Sequence, residues 1–314
     1  MHKDNNHEVN TCPSCKTKFE GKFCHNCGEK AFHEKDYTIK KFIEQTVDIF
    51  THFDGKFVRS IKYIFTKPGF LAQQNMQGIR VKYAKPMQIF LLANVLFFFI
   101  THIVGVTDYT PNIGDEKFGG ISGYFIFKWL SPLDDWIVKQ IGILTDAKLE
   151  HFGISVNEFT NRFWLNSYIY SKSFIVLLIP FSGTAIYLFF KKRFRYFSNA
   201  LAFTAHFVSF QLIVFSIISI FRYRYGIDVF QPFTWLLYRE EVRPITQFFT
   251  GSRFELIHML YWIPYLFIAF KRVFPDESRL VIFIKTYFIA RILFFITFVF
   301  YKKLLIVLTL LLMH

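Results

Sequence analysis

Cysteine is scarce in this 314-residue chain and confined to four positions between 12 and 27, so a fold stapled by disulfides along its length is excluded. Negative charge is also thin, with 23 Asp and Glu against 37 Lys and Arg. Acids are missing altogether from residues 56–86 and from the first four apolar runs delimited below, which argues against a proton-coupled carrier or an aspartyl intramembrane protease, since both need embedded carboxylates. The 15 Gly and 10 Pro are scattered. No phosphate loop, Gly-rich dinucleotide turn, His-Glu-x-x-His run, rhomboid-type Ser and His pair or inverted repeat is found. The first 36 residues hold no apolar run of the length a secretory signal needs, so the N-terminal region is expected to stay in a reducing compartment.

What abounds is apolar and aromatic: 53% and 21% of the residues, with 44 Phe, above the share of about 45–50% apolar in soluble domains. A soluble doubly wound or barrel enzyme is excluded, and the expected fold is mainly α: a polytopic helical membrane protein of about five spans with a small N-terminal β zinc ribbon. A hydrocarbon core about 30 Å thick needs about 20 apolar residues in a helix. Runs that qualify are Met87–Val106, Ser173–Phe190, Ala200–Phe221 and Leu256–Phe270, the last extendable upstream past Arg253. The final segment, Leu280–Leu312, contains Lys285, Arg291, Lys302 and Lys303 and reads in two ways. Either an interfacial helix at 280–290 precedes a span at 292–312, or the span is 281–301 with the lysine pair at its end; the cost of charge at the bilayer centre favours the second.

The net charge of +14 hugs these spans. Residues 1–36 are neutral, whereas 56–86 carry Lys56, Arg59, Lys62, Lys67, Arg80, Lys82 and Lys85, and the 191–199 turn carries Lys191, Lys192, Arg193 and Arg195. Basic short connections face the cytoplasm, so the N-terminus is expected inside and the acid-rich stretch 107–171 is expected as an outward loop. Trp129, Trp136, Trp164 and Trp235 fall in the outward connections, either at headgroup level or in the core of an outer subdomain.

Cys12-Pro-Ser-Cys15 and Cys24-His-Asn-Cys27-Gly28 are two Cys-x2-Cys pairs separated by eight residues, the spacing of two knuckles that offer four thiolates to one tetrahedral metal. Gly28 supplies positive-φ freedom, and Lys16 stands in the matching place after the first pair. Phe19 and Phe23 are expected to form most of the core of this unit, which should not fold without metal. Zinc is the expected ion, with iron in a rubredoxin-like site the alternative; His25 is read as a surface knuckle residue. A closed four-sulfur site has no open position for substrate and serves the fold. The neutral ribbon lacks the basic patch that nucleic acid requires, so a cytosolic or membrane protein is the expected partner.

Apolar residues recur at helical spacing from Ile39 to Phe50 and from Phe57 to Phe65. The second helix carries Lys56, Arg59 and Lys62, which suits either anionic lipid headgroups or packing on the ends of the spans. The organisation read from this is a ribbon at 1–36, amphipathic juxtamembrane helices at 37–86 and a helical membrane domain at 87–314. The order of Cys pair, Cys pair-Gly-Glu-Lys, Thr51-His52-Phe53-Asp54-Gly55-Lys56-Phe57, Lys67-Pro68-Gly69, Gly78-Ile79-Arg80, Tyr83, Lys85-Pro86 and Asn94 resembles a family of functionally uncharacterised bacterial membrane proteins common in Bacteroidota. The resemblance covers about residues 10–100. It implies a zinc ribbon joined to several membrane helices, with no established activity, and this chain's stretch at 107–171 is long for the pattern.

His52 and Asp54 share a Gly-containing turn and could form an acid-base or metal pair, though such residues more often cap helices. Asn94, His102, His206, Gln211 and His258 lie in the spans, where polar groups are functional candidates and interhelical hydrogen bonds are the commoner use. The leading expectation is a non-enzymatic bacterial inner-membrane protein whose cytosolic ribbon is a docking or regulatory module. The competing expectation is transport of a small solute or lipid, with Asn94, His206 and His258 lining a path that the ribbon gates.

Overall fold

The computed structural model describes residues 9–31, 55–105, 131–225 and 253–314; the helix expected from Ile39 to Phe50 lies outside them. Strand β1 (Asn10–Thr11) pairs antiparallel with β2 (Lys18–Phe19), Asn10 opposite Phe19. Helices α1 (Lys56–Thr66), α2 (Phe70–Met76), α3 (Pro86–Val104), α4 (Ser131–Phe152) and α5 (Val156–Phe174) follow. Then come α6 (Leu178–Phe189), α7 (Phe197–Tyr225), α8 (Arg253–Val273), α9 (Arg279–Phe295) and α10 (Tyr301–Leu312). A 3-10 turn at Ile175–Leu177 fuses α5 to α6, and a π-helical turn at Ile296–Phe300 fuses α9 to α10.

Five runs among the described residues are long and apolar enough to cross a membrane: Pro86–Val104, Val156–Phe189, Phe197–Tyr225, Glu255–Val273 and Arg279–Leu312. The chain is therefore a mainly α, multi-pass helical protein with a small N-terminal ribbon. Two of the runs have 34 residues, about 51 Å at 1.5 Å per residue, well beyond a hydrocarbon core of about 30 Å. Residues 131–152 and 156–171, read from sequence as part of an outward connection, are helical in α4 and the polar start of α5. The hydroxyl of Ser155 caps α5 by accepting from the Glu158 amide at 3.3 Å.

The chain forms two compact units, one of residues 1–95, 183–213 and 265–286, the other of 96–182, 214–264 and 287–314. The first unit takes the starts of α3, α7 and α9 and the ends of α6 and α8, the alternation that successive crossings produce. Its central helix is the start of α7, where Ala200, Ala202, Ala205 and Ser209 are buried and let neighbouring backbones approach. Phe190 lies 4.6 Å from Phe270 and 4.7 Å from Phe274 between ring centroids, and Phe203 stacks on Phe270 at 4.9 Å. At the rim, Glu277 accepts from Arg193 at 3.0 Å and pairs with Lys285 at 3.5 Å, and the hydrogen bond from Arg193 holds its carboxyl below the usual range. Helix α1 buries Phe57, Ser60 and Ile64 in this unit, with Ser60 Oγ accepting from the Ala84 amide at 3.0 Å; Arg59 and Lys62 stay exposed.

In the second unit, α10 packs between α4 and α5 through Ile141, Phe159, Phe163, Ile306 and Leu310. Ser167 and Thr309 hydroxyls meet at 3.2 Å, and the Tyr301 hydroxyl donates to the Ser171 carbonyl at 3.1 Å. The last segment runs unbroken from Arg279 to Leu312, and Lys303 forms an ion pair with Asp134 of α4. The lysine whose position divided the two sequence readings thus has a countercharge, and the apolar tail beyond it packs on a helical pair.

The Lys67-Pro68-Gly69 turn shows what the first unit demands locally. Arg272 donates from Nη1 to the Pro68 carbonyl, and Gln73 Nε2 donates to the Arg272 carbonyl at 3.0 Å. Gly69 sits at φ +77, and a Cβ there would fall 2.5 Å from the Ala269 carbonyl oxygen. Backbone meets backbone, so a methyl group cannot be absorbed by a rotamer change. Gly69→Ala should therefore cost at least about 1–3 kcal/mol, read as a lower unfolding midpoint of the detergent-solubilised protein. Gly142→Ala, whose Cβ would meet nothing within 4 Å, should leave the midpoint unchanged or raised.

Candidate metal centre

The two knuckles are built alike. In the first, the Cys12 amide donates to the Thr17 carbonyl and the Lys16 amide to the Cys12 carbonyl, each at 2.9 Å. In the second, Cys24 donates to Glu29 and Gly28 to Cys24, each at 2.8 Å. The turn requires a left-handed residue in both: Gly28 at φ +73 and Lys16 at φ +64. Lys16 is the one non-glycine residue with positive φ among the described residues, and it bears a conformational cost of about 1–2 kcal/mol.

These turns bring all four Sγ atoms within 4.8 Å of one another, with Cys12 to Cys27 at 3.5 Å and Cys15 to Cys24 at 3.6 Å. Such spacings are far longer than a disulfide bond of about 2.05 Å and close to the edge of a tetrahedron with metal–sulfur bonds of about 2.3 Å, about 3.8 Å. The four cysteines can hold a metal ion. Hydrogen bonding with the Thr17 side chain and backbone lowers the Cys15 thiol from its ordinary value to about 5. The ribbon core consists of Cys12, Phe19, Cys24 and Ala31. Phe23, expected in that core, is instead 60% exposed: its backbone bridges to Lys30 at the ribbon edge, which leaves its ring outside.

The ribbon is seated on the approach to α3. Glu29, two residues past Cys27, is 2% exposed, and its carboxylate accepts the Arg80 amide at 3.2 Å on both oxygens and the Val81 amide at 3.2 Å. On the first knuckle, Lys82 Nζ donates to the Ser14 carbonyl at 2.7 Å. Sequence reasoning noted the Gly-Glu-Lys triplet only as part of a pattern; an acid directly behind a metal knuckle was the available signal for this seat.

The remaining sequence candidates are dispersed. His52 and Asp54 lie outside the described residues. Asn94 and His206 belong to the first unit and His258 to the second. His206 is 6% exposed, with no hydrogen-bond partner on either ring nitrogen among the described residues. His258 is enclosed by rings, including Phe298 at 4.7 Å and Phe215 at 5.2 Å. His102 Nδ1 is 3.0 Å from the Tyr168 hydroxyl.

One expectation is corrected. The fourth span begins with Glu255, so the apolar run starting at Leu256 stopped one residue short of an acid. Glu255 is 1% exposed and pairs with Arg291, 2% exposed, Oε1 to Nε at 3.3 Å. Burial of both charges is tolerated because each neutralises the other.

A family model described as a protein of unknown function, DUF3667, matches residues 54–98. That stretch holds α1, α2, the Glu29 seat and the first part of α3. Neither the curated proteins nor the solved structures contain a match to the chain.

Purified wild-type protein should carry about one metal ion per chain by elemental analysis. Cys24→Ser/Cys27→Ser should carry none while still inserting in membranes, because the spans do not depend on the ribbon for their apolar character. Equal metal content in the two would remove the centre.

Proposed function

We propose that this chain is a non-enzymatic, multi-pass protein of a bacterial inner membrane, akin to the zinc-ribbon membrane proteins it resembles, in which a cytosolic zinc ribbon regulates the membrane domain from its seat on the approach to the first span. Zinc is the ion that four thiolates and a tetrahedral spacing favour. The closed ligand set leaves no position for substrate, which supports a structural metal. An N-terminus inside the cell is supported by the first unit's gathering the ribbon together with the basic turn at 191–195 and with Lys271 and Arg272.

The observation that carries this reading is the Glu29 carboxylate on the amides of Arg80 and Val81. It ties the metal-dependent fold to the chain segment that leads into α3. Hydrogen exchange at those two amides tests it. Glu29→Ala and Cys24→Ser/Cys27→Ser should each speed exchange of a peptide spanning residues 78–84 by about tenfold or more, the loss of one charge-assisted bond. Unchanged exchange after metal loss would separate the ribbon from the membrane domain and end the proposal.

A second reading, transport of a small solute or lipid gated by the ribbon, is favoured by the buried Glu255–Arg291 pair inside spanning runs, since embedded charges often mark solute paths. Wild-type protein in proteoliposomes should then pass entrapped small solutes faster than protein-free vesicles leak. Glu255→Gln should slow it; leakage equal to that of empty vesicles dismisses this reading.

A further inference from the structure

Helix α1 has two unlike sides. Phe57, Ser60 and Ile64 are buried within the first unit, and Ile64 shares a crevice with Phe203 and Phe207 of α7 and Tyr265 of α8. The Phe65 ring lies 5.4 Å from that of Phe210. Phe203 and Phe210 stand about 9 and 20 Å along α7 from its start at Phe197, within the first half of a run long enough to cross the membrane. Helix α1 is thus laid along the flank of a spanning helix, and the chain leads from it to Pro86, the first residue of another.

The outer side of α1 is divided lengthwise into two rows. Val58 at 75% exposed, half-buried Ile61 and Phe65 at 36% follow one another at i, i+3 and i+7, which makes them neighbours in one apolar row. Arg59, Lys62 and Thr66 follow at the same spacing and form the adjoining polar row, all exposed. Among the described residues, neither the Arg59 nor the Lys62 side chain makes a hydrogen bond or an ion pair. No acid between residues 56 and 86 is at hand to neutralise them. A helix facing only water has no use for the apolar row, and one enclosed by protein would not leave two cations exposed. An apolar row beside a basic one, held against a spanning helix, meets both demands of the boundary between acyl chains and anionic headgroups. An acidic protein segment would answer the bases and leave Val58 and Phe65 without a counterpart.

We propose that the exposed side of α1 binds anionic phospholipid, with Arg59 and Lys62 on the headgroup phosphates and Val58 and Phe65 among the upper parts of the acyl chains. The proposal goes beyond the regulatory reading and depends on the seating of α1, not on the metal.

The test uses the full chain in nanodiscs of phosphatidylglycerol and phosphatidylcholine in equal amounts. Val58→p-benzoylphenylalanine and, separately, Phe65→p-benzoylphenylalanine are irradiated, and the adducts on the peptide containing α1 are identified by mass. Both should carry phospholipid, with phosphatidylglycerol over phosphatidylcholine by about fivefold or more, the effect of one to two bases near an anionic surface. Added to either, Arg59→Gln/Lys62→Gln should bring that ratio to about one while lipid adducts persist, because the apolar row is untouched. Arg59→Lys/Lys62→Arg, which keeps both charges, should preserve the preference. The unfolding midpoint should be the same in all these backgrounds, since both side chains are exposed. Adducts to protein in place of lipid, equal capture of the two lipids by the wild-type sequence, or a preference that survives Arg59→Gln/Lys62→Gln overturns the proposal.

Discussion

A carboxylate taken out of water costs several kcal/mol unless a partner restores what hydration supplied, and the placement of such acids organises both units. Glu29 is 2% exposed and rests on two backbone amides. Asp134 is 3% exposed and answers Lys303, and Glu255 at 1% answers Arg291. Each pair joins elements far apart in sequence: a metal knuckle to a juxtamembrane turn, a helix after the first span to the last helix, and the fourth span to the fifth. Removing one member of either ion pair would leave the other as an uncompensated buried charge, and removing Glu29 would leave two amides without their acceptor, so these contacts select one arrangement over the many that apolar packing alone would accept.

That constraint also separates what could be read in the chain from what could not. Spans are legible because hydropathy depends on composition along a continuous stretch, and the four cysteines are legible because a tetrahedral site imposes a spacing. Pairing across 36 residues, as for Glu255 with Arg291, leaves no local signature. The apolar run that begins at Leu256, extendable upstream past Arg253, gives Glu255 no role of its own. The same charge became an interior residue once Arg291 stood opposite it. Likewise Lys302 and Lys303 left two placements of the final span open, and the Asp134 countercharge of Lys303 has no local signature. Phe23 misled in the opposite direction, because an aromatic in a small ribbon is read as core although a two-stranded sheet has room for one such ring.

Close approach is equally hidden. Lys67-Pro68-Gly69 reads as a helix terminator, and it does end α1. Its greater demand comes from Ala269 and Arg272, about two hundred residues later, which press the backbone of α8 against Gly69. The residues of the family match at 54–98 thus include the surfaces on which other parts of the first unit close: Gly69 against α8, and Arg80 and Val81 against the ribbon.

The ribbon's own smallness completes the argument. Four buried apolar residues, two of them cysteines, cannot hold a domain together without a metal. Glu29 follows Cys27 by two residues, and its carbonyl accepts the Cys24 amide within the same knuckle. The aim of its carboxylate is therefore set by the geometry of the sulfurs. In the proposed reading, metal binding and seating on residues 80–82 are two readouts of one folded state, and linkage makes their coupling reciprocal. Whatever pulls the ribbon off its seat must weaken the hold on the metal, and whatever orders the juxtamembrane turn must tighten it. In that reading a change in the segment leading into α3 is felt at the four cysteines through Glu29.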